Sequence, residues 1–217
     1  MVGGNMDKRR GLFIWIFLIG VLFSTNAHAI LEVRGSAGFI INDPHEMNQY
    51  LGSKTSKEVY LLGAVGGDAF LTIPLDPRFS LGLGARFEYN SIKVDSANGQ
   101  SLAGTELQTS RTAALLVLRG NVKDIFYYGL VGTIGLAHTL KLNIKDSSQQ
   151  QFNFDQAKGA SFSVGPELGF YIKFVHLGLE MGYQYLYFQD ITGPAGTATF
   201  KANLSGYYTM AHLGFGF

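Results

Sequence analysis

Hydrophobicity alternates with a period of two along this chain, in eight separate stretches, and an alternation of that kind is the signature of strands with two different surroundings. The first stretch, 31–41, sets Val33, Ala37, Phe39 and Ile41 against Glu32, Arg34 and Ser36. The second, 59–73, sets Val59, Leu61, Val65, Ala69 and Leu71 against Asp68 and Thr72. In the third, 79–93, Leu81, Leu83, Ala85, Phe87 and Tyr89 oppose Ser80, Arg86, Glu88 and Asn90. The fourth, 109–120, opposes Ala114, Leu116 and Leu118 to Arg111 and Arg119. The fifth is the longest, 125–144: Phe126, Tyr128, Leu130, Ile134, Leu136, Leu140 and Leu142 share a face, and Thr133, Thr139, Lys141 and Asn143 take the other. The sixth, 160–173, places Phe162, Val164, Leu168, Phe170 and Ile172 against Ser161, Ser163, Glu167 and Lys173. The seventh, 175–188, places Leu177, Leu179, Met181, Tyr183 and Tyr185 against His176, Glu180 and Gln184. The eighth, 201–217, ends on Tyr207, Thr209, Ala211, Leu213, Phe215 and Phe217 facing one way. Pro166 falls inside the sixth stretch, where a bulge or a local break in the ladder is expected.

The connections alternate in length. Short ones are Pro74-Leu75-Asp76-Pro77-Arg78, Asn121-Val122-Lys123-Asp124 and a tight reversal near Phe174. Long polar ones are expected at 43–58, 94–108, 145–159 and 189–200, with Asn98-Gly99, Ser147-Ser148-Gln149-Gln150 and Gly193-Pro194 within them. One rim of tight turns and one of long loops describes an up-and-down antiparallel barrel. An even number of strands then puts both termini at the tight-turn rim.

Residues 1–29 have the form of a cleaved secretory signal peptide: a basic Lys8-Arg9-Arg10, an apolar run from Gly11 to Phe23, and the small-x-small site Ala27-His28-Ala29. The domain expected to remain is 30–217. That run falls short of the ~20 apolar residues of a spanning helix, and no later run supplies one. The chain carries a formal charge of +1, which becomes about −1 once Asp7, Lys8, Arg9 and Arg10 leave, so no nucleic-acid partner is expected. Cysteine is absent, which excludes disulfides and thiol chemistry. The 28 glycines suit crowded inward positions in a narrow barrel, where the sheet bends sharply.

Nearly every strand charge lies opposite the aliphatic side. With an export signal ahead of it, such a chain is expected to turn its aliphatic face to lipid and its charges inward. Arg34, Asp68, Arg86, Glu88, Arg119, Glu167, Glu180 and His212 form the expected charge network of the lumen. An eight-strand interior is just wide enough for side chains to fill. Unpaired buried charge costs several kcal/mol, so opposite signs are expected to pair and plug the lumen; the competing reading is a selectivity constriction or a proton-linked gate. Aromatic residues near strand ends, among them Tyr60, Phe79, Tyr89, Phe126, Tyr128, Phe170, Tyr185, Tyr187, Tyr207, Phe215 and Phe217, read as interfacial girdles.

The signal-like N-terminus, eight alternating segments and a final strand closing on Phe217 together resemble the small outer-membrane β-barrel superfamily, such as the OmpA transmembrane domain, OmpX and OmpW. The resemblance covers essentially all of 30–217 and implies an all-β, eight-stranded antiparallel up-and-down transmembrane barrel in the bacterial outer membrane, with periplasmic termini. It implies that Tyr207, Leu213, Phe215 and Phe217 serve as the assembly signal read by the barrel-assembly machinery. It also implies contact with outer-membrane lipid and lipopolysaccharide; a monomer is expected because full closure leaves no sheet edge demanding a partner. OmpA-type proteins often continue into a soluble peptidoglycan-binding domain, whereas this sequence stops at Phe217, so a cell-wall tether is not expected.

Catalysis, cofactors and metals are not expected. The lipid A deacylase type carries His-x-Ser near its end, whereas His212 is followed by Leu213 and Gly214. The histidines show no paired ligand spacing, and Gly82-Leu83-Gly84 lies in a strand pattern with no following helix. The expected role is structural or surface-interacting, exerted through four extracellular loops above a plugged lumen. The alternative is a narrow pore, or an OmpW-like transporter of ions or small hydrophobic compounds.

Overall fold

The computed structural model describes residues 30–55, 59–95, 104–122, 125–145, 150–191 and 200–216. The expected signal segment, Phe217, and most of the residues at the tips of the long connections lie outside that set. The chain forms β1 (Ile30–Asn42), α1 (His45–Thr55), β2 (Leu61–Pro74), β3 (Phe79–Asp95), β4 (Gly104–Val122), β5 (Phe126–Lys145), β6 (Gln151–Gln156), β7 (Gly159–Ile172), β8 (Val175–Ile191), β9 (Phe200–Asn203) and β10 (Gly206–Gly216).

The ten strand segments make eight staves of one closed antiparallel barrel. Neighbours in sequence pair throughout, and β10 closes the ring against β1 from Glu32–Gly216 to Asn42–Gly206. β6 and β7 together form the sixth stave, both in antiparallel pairing with β5. β9 and β10 form the eighth, both against β8. Closure removes the free sheet edges that would otherwise need a partner.

The tight turns are built from local chemistry. In Pro74–Phe79 the Asp76 carboxylate accepts hydrogen bonds from the backbone N–H of Arg78 and Phe79, at 2.6 and 2.8 Å. Between β7 and β8, Lys173 takes a positive φ of 59°, as the first residue of a two-residue hairpin requires. Pro166 leaves the register of β7 unchanged but interrupts its ladder: pairing with β8 stops at Val164–Tyr183 and resumes at Glu167–Glu180. The missing proline N–H accounts for the gap without a bulge.

On β3 to β6 the lipid-facing pattern holds only over the part of the barrel nearest the termini, whereas on β1, β2 and β10 exposed apolar residues continue to Ile41, Leu61 and Tyr207. In the part nearest the termini Leu71, Phe87, Leu116, Leu118, Leu130, Leu168 and Leu179 are exposed on the outside. Toward the other rim the faces of β3 to β6 exchange character. Ile40, Leu62, Leu107, Leu142, Ile144, Leu186 and Phe188 are buried inside the barrel, and Lys93, Thr139, Lys141, Gln151, Asn153 and Asp155 are exposed outside it.

Strand length explains the exchange. A membrane-crossing strand needs ~9–11 residues, and β3, β4, β5 and β8 have 17, 19, 20 and 17. Their far ends stand in water, where the apolar side must turn inward. The connections expected as loops at 94–108, 145–159 and 189–200 are therefore largely strand wherever they are described.

The expected face assignment of the far end of β5 is overturned. Thr112 of β4 pairs with Ala137, and Ala113 with Gly135, which leaves Leu136 as an extra residue in β5. A single added residue turns every later side chain to the opposite face. Leu140 and Leu142, expected on the lipid side with Leu130, are buried inside, while Thr139 and Lys141, expected inside, are exposed. The sixth stave changes phase at the same level, in the break between β6 and β7.

A helix also replaces the loop expected at 43–58. Pro44 occupies the first turn after Asp43, the Asn48 N–H donates to the Pro44 carbonyl at 2.8 Å, and Glu46 lies near the positive end. Met47 and Leu51, one turn apart, are fully buried in the apolar end of the barrel. Tyr50 stacks on Phe200 of β9 at 4.9 Å. Asn48 holds Val59 by paired bonds of 3.0 and 2.8 Å, so Val59, expected on the lipid face, is buried beneath the helix.

Candidate functional site

The charged half of the lumen is a continuous ladder of ion pairs. Inward positions of β1, β2 and β3 bring Arg34, Asp68 and Arg86 side by side, because Arg34 pairs with Asp68 in one register and Asp68 with Arg86 in the next. Asp68 accepts from Arg34 Nε at 2.5 Å and from Arg86 Nε at 2.8 Å. Both guanidinium groups then reach across the barrel. Arg86 binds Glu180 of β8 through two hydrogen bonds of 3.0 and 2.7 Å. Arg34 binds Glu167 of β7 at 2.5 Å.

Glu180 is the most connected carboxylate. It accepts from the Tyr208 hydroxyl at 2.6 Å, and His212 Nε2 lies 3.0 Å from it. Glu167 and Glu180 face each other across the β7–β8 ladder, and Arg34 lies between them, at 2.5 and 3.8 Å. Arg119 extends the ladder toward the termini. It lies 3.4 Å from Glu167, donates to Glu32 at 2.9 Å, and sits 4.3 Å above the Tyr127 ring. Thr72 and Tyr171 complete the polar contacts there, donating to Glu32 and accepting from Arg119.

Glu88 stands apart from this group. It pairs with Arg111 at 2.8 Å, one layer nearer the apolar end, beside Asn90, Thr133 and Ser163. Glu32 and Arg111 are functional neighbours outside the eight residues singled out from sequence. Both lie on the inward face by simple alternation, so the signal that found the others applies to them equally.

Packing around the ladder is dense because aromatic rings lie on glycines. A side chain at Gly169 or Gly178 would occupy the space of the Tyr127 hydroxyl, and one at Gly165 or Gly182 that of Tyr208. Arg34, Arg86, Glu167 and Glu180 are at most 2 % exposed. Such an array of paired charges can resist solute passage, or filter ions if water enters it.

The described residues expected to form the assembly signal lie on the outer surface of β10. Tyr207, Leu213 and Phe215 are exposed, and Phe215 stacks with Phe174 of the adjacent tight turn at 6.4 Å; Phe217 lies outside the described residues. Among the described residues, no cluster of three or more His, Asp or Glu converges to hold a metal ion. His138 Nε2 lies 2.8 Å from the Ser161 hydroxyl, and among the described residues no carboxylate hydrogen-bonds this histidine.

No protein-family model and no curated protein matches the chain. Solved structures do. A major outer membrane protein from Thermus thermophilus superposes with a TM-score of 0.53 at 10 % identity, covering 88 % of this chain and 100 % of that one. The outer membrane protease OmpT from Escherichia coli gives 0.49 at 11 % identity, covering 88 % and 98 %. Ail, the attachment invasion locus protein of Yersinia pestis, in complex with the heparin analogue sucrose octasulfate, gives 0.44 at 10 % identity, covering 89 % and 100 %. At these identities the likeness is one of fold: a closed antiparallel barrel of the outer-membrane type.

Proposed function

We propose that this chain is an integral protein of the bacterial outer membrane, with its termini in the periplasm, that acts as a structural or surface-interaction barrel rather than as a conduit. The observation that carries the reading is the cross-lumen ladder of Arg34, Arg86 and Arg119 with Glu32, Asp68, Glu167 and Glu180. Opening it would expose partnerless charges in the centre of the protein, at several kcal/mol for each ion left unpaired. The apolar fill above it, with Met47 and Leu51 of α1 packed in, supports the same conclusion.

In this reading the protein works at its protruding rim, through the ends of β3 to β6 and the segments that join them, in contact with lipopolysaccharide or other surfaces. Export uses residues 1–29, and Tyr207, Leu213, Phe215 and Phe217 present the final strand to the assembly machinery. In this reading the protein is non-enzymatic, and it is monomeric because the closed sheet leaves no free edge for a partner.

Single-channel recording in planar bilayers tests the plug. Closed behaviour is expected for the native protein. Reproducible conductance steps that change when Arg86 or Glu180 is replaced would favour the alternative, a narrow pore or transporter whose constriction is this same ladder.

A further inference from the structure

The barrel wall is interrupted along one seam. Pairing of β5 with the sixth stave runs from Phe126–Phe170 to Ile134–Phe162 and resumes only at Leu140–Gln156. Both strands change phase inside this span, one through the extra Leu136 and the other through the break between β6 and β7. Two phase changes at one level leave a stretch of wall without ladder bonds. A recess of about 390 Å³ occupies it, lined by Leu136, His138, Lys158, Ala160, Tyr187 and Gln189 among others. His138 and Ser161 bridge the gap at its inner side, 2.8 Å apart, and His138 is only 8 % exposed.

The recess lies where the outer surface changes solvent. Ile134, Leu136 and Phe162, on the termini side, are exposed and apolar. Thr139, Lys141, Asp155 and Lys158, on the far side, are exposed and polar. This is the depth of lipid headgroups. Lys158 stands at the lip, and among the described residues no carboxylate pairs with it. Asp155 stands opposite Lys141 in the β5–β6 register, and Arg111 lies opposite His138 in the β4–β5 register. Arg111 is paired with Glu88 and Lys141 faces Asp155, so the charge left to attract an anion is that of Lys158, with apolar surface directly beneath it.

We propose that this recess seats a phosphate of lipid A, the phosphorylated glucosamine lipid of the outer leaflet. Lys158 pairs with the phosphate, while Leu136 and Tyr187 pack against the root of an acyl chain. The assignment rests on the orientation proposed above, since the reverse orientation would place the recess in the phospholipid leaflet.

Native mass spectrometry of the folded full chain, released from micelles holding equal amounts of bis-phosphorylated lipid A and phosphatidylglycerol, tests it. One retained lipid A is expected for the native protein, with about tenfold less retention in Lys158→Glu. Ala160→Trp, which fills the recess and keeps the lysine, should lose the lipid as well. Lipid A stripped of its phosphates should be retained no better by the native protein than intact lipid A is by Lys158→Glu. Heat-modifiable migration on gels establishes that each variant is folded. Equal retention by native protein and Lys158→Glu, equal retention of intact and stripped lipid, or equal competition by phosphatidylglycerol would overturn the proposal. None of these outcomes bears on the closed lumen, which conductance reads separately.

Discussion

Arg86 and Glu180 meet across the lumen through two parallel hydrogen bonds, of 3.0 and 2.7 Å, although 94 residues separate them in sequence. The same two groups are tied to Asp68 on one side and to Tyr208 and His212 on the other. Removing one partner leaves a buried charge without its counter-ion, at a cost of about 3–5 kcal/mol. Glu180→Ala is expected to destabilise the barrel by that amount in urea unfolding from lipid vesicles. Replacing both, as Arg86→Met with Glu180→Leu, should cost less than Glu180→Ala alone, because apolar substitutes remove the desolvation penalty together with the attraction. A double variant weaker than the single one would mean that the pair is not the source of the cost.

The exchange of faces along β3 to β6 gives a positional test. Leu83 lies on the outward side of β3 in the apolar half, whereas Gln108 lies on the outward side of β4 near the far rim. Leu83→Arg places a charge against hydrocarbon and should cost about 2–4 kcal/mol near the bilayer midplane. Gln108→Arg places one in water and should be close to neutral. The comparison is made by folding yield into liposomes and by urea midpoint. Equal effects at the two positions would refute the boundary drawn between them.

Alternation made the eight staves legible in the sequence, together with the inward placement of Arg34, Asp68, Arg86, Glu167 and Glu180, because a strand's period fixes a face without any knowledge of its partners. What alternation cannot supply is register, and register decides that Arg86 reaches Glu180 while Glu88 reaches Arg111 instead. Leu136 was hidden for a related reason. An extra residue leaves no mark in composition, and Leu140 and Leu142 continue the apolar series of Leu130 and Ile134 as if nothing had intervened. The helix carried a readable signal in Asp43-Pro44, with Met47 and Leu51 one turn apart. The polar residues around it gave the segment the look of a loop.

Deleting Leu136 should do more damage than its exposed position suggests. The side chain is 69 % exposed, so its own packing contributes little. Without the extra residue, however, β5 would carry one phase throughout, and Leu140, Leu142 and Ile144 would turn from the buried apolar end into water. The deletion is expected to abolish the compact, heat-modifiable form on gels, whereas Leu136→Ala should retain it. Survival of the deletion variant with native mobility would show that the strand can absorb the shift elsewhere.

The helix is the part of the structure that should detach without taking the barrel with it. Its buried apolar anchors are Met47 and Leu51, beside the Asn48–Val59 hydrogen bonds, and the ion-pair ladder below does not depend on any of them. Leu51→Asp sets a carboxylate among buried Leu and Phe side chains, a burial that the segment can escape by leaving its seat. Local opening of this kind needs far less free energy than global unfolding. Vesicle-embedded Leu51→Asp protein should therefore be cleaved by added protease between 43 and 60 while its urea midpoint and heat-modifiable migration stay native. Resistance equal to that of the native chain would show that α1 is held by more than its apolar face. A loss of the midpoint would instead make the helix part of the cooperative core.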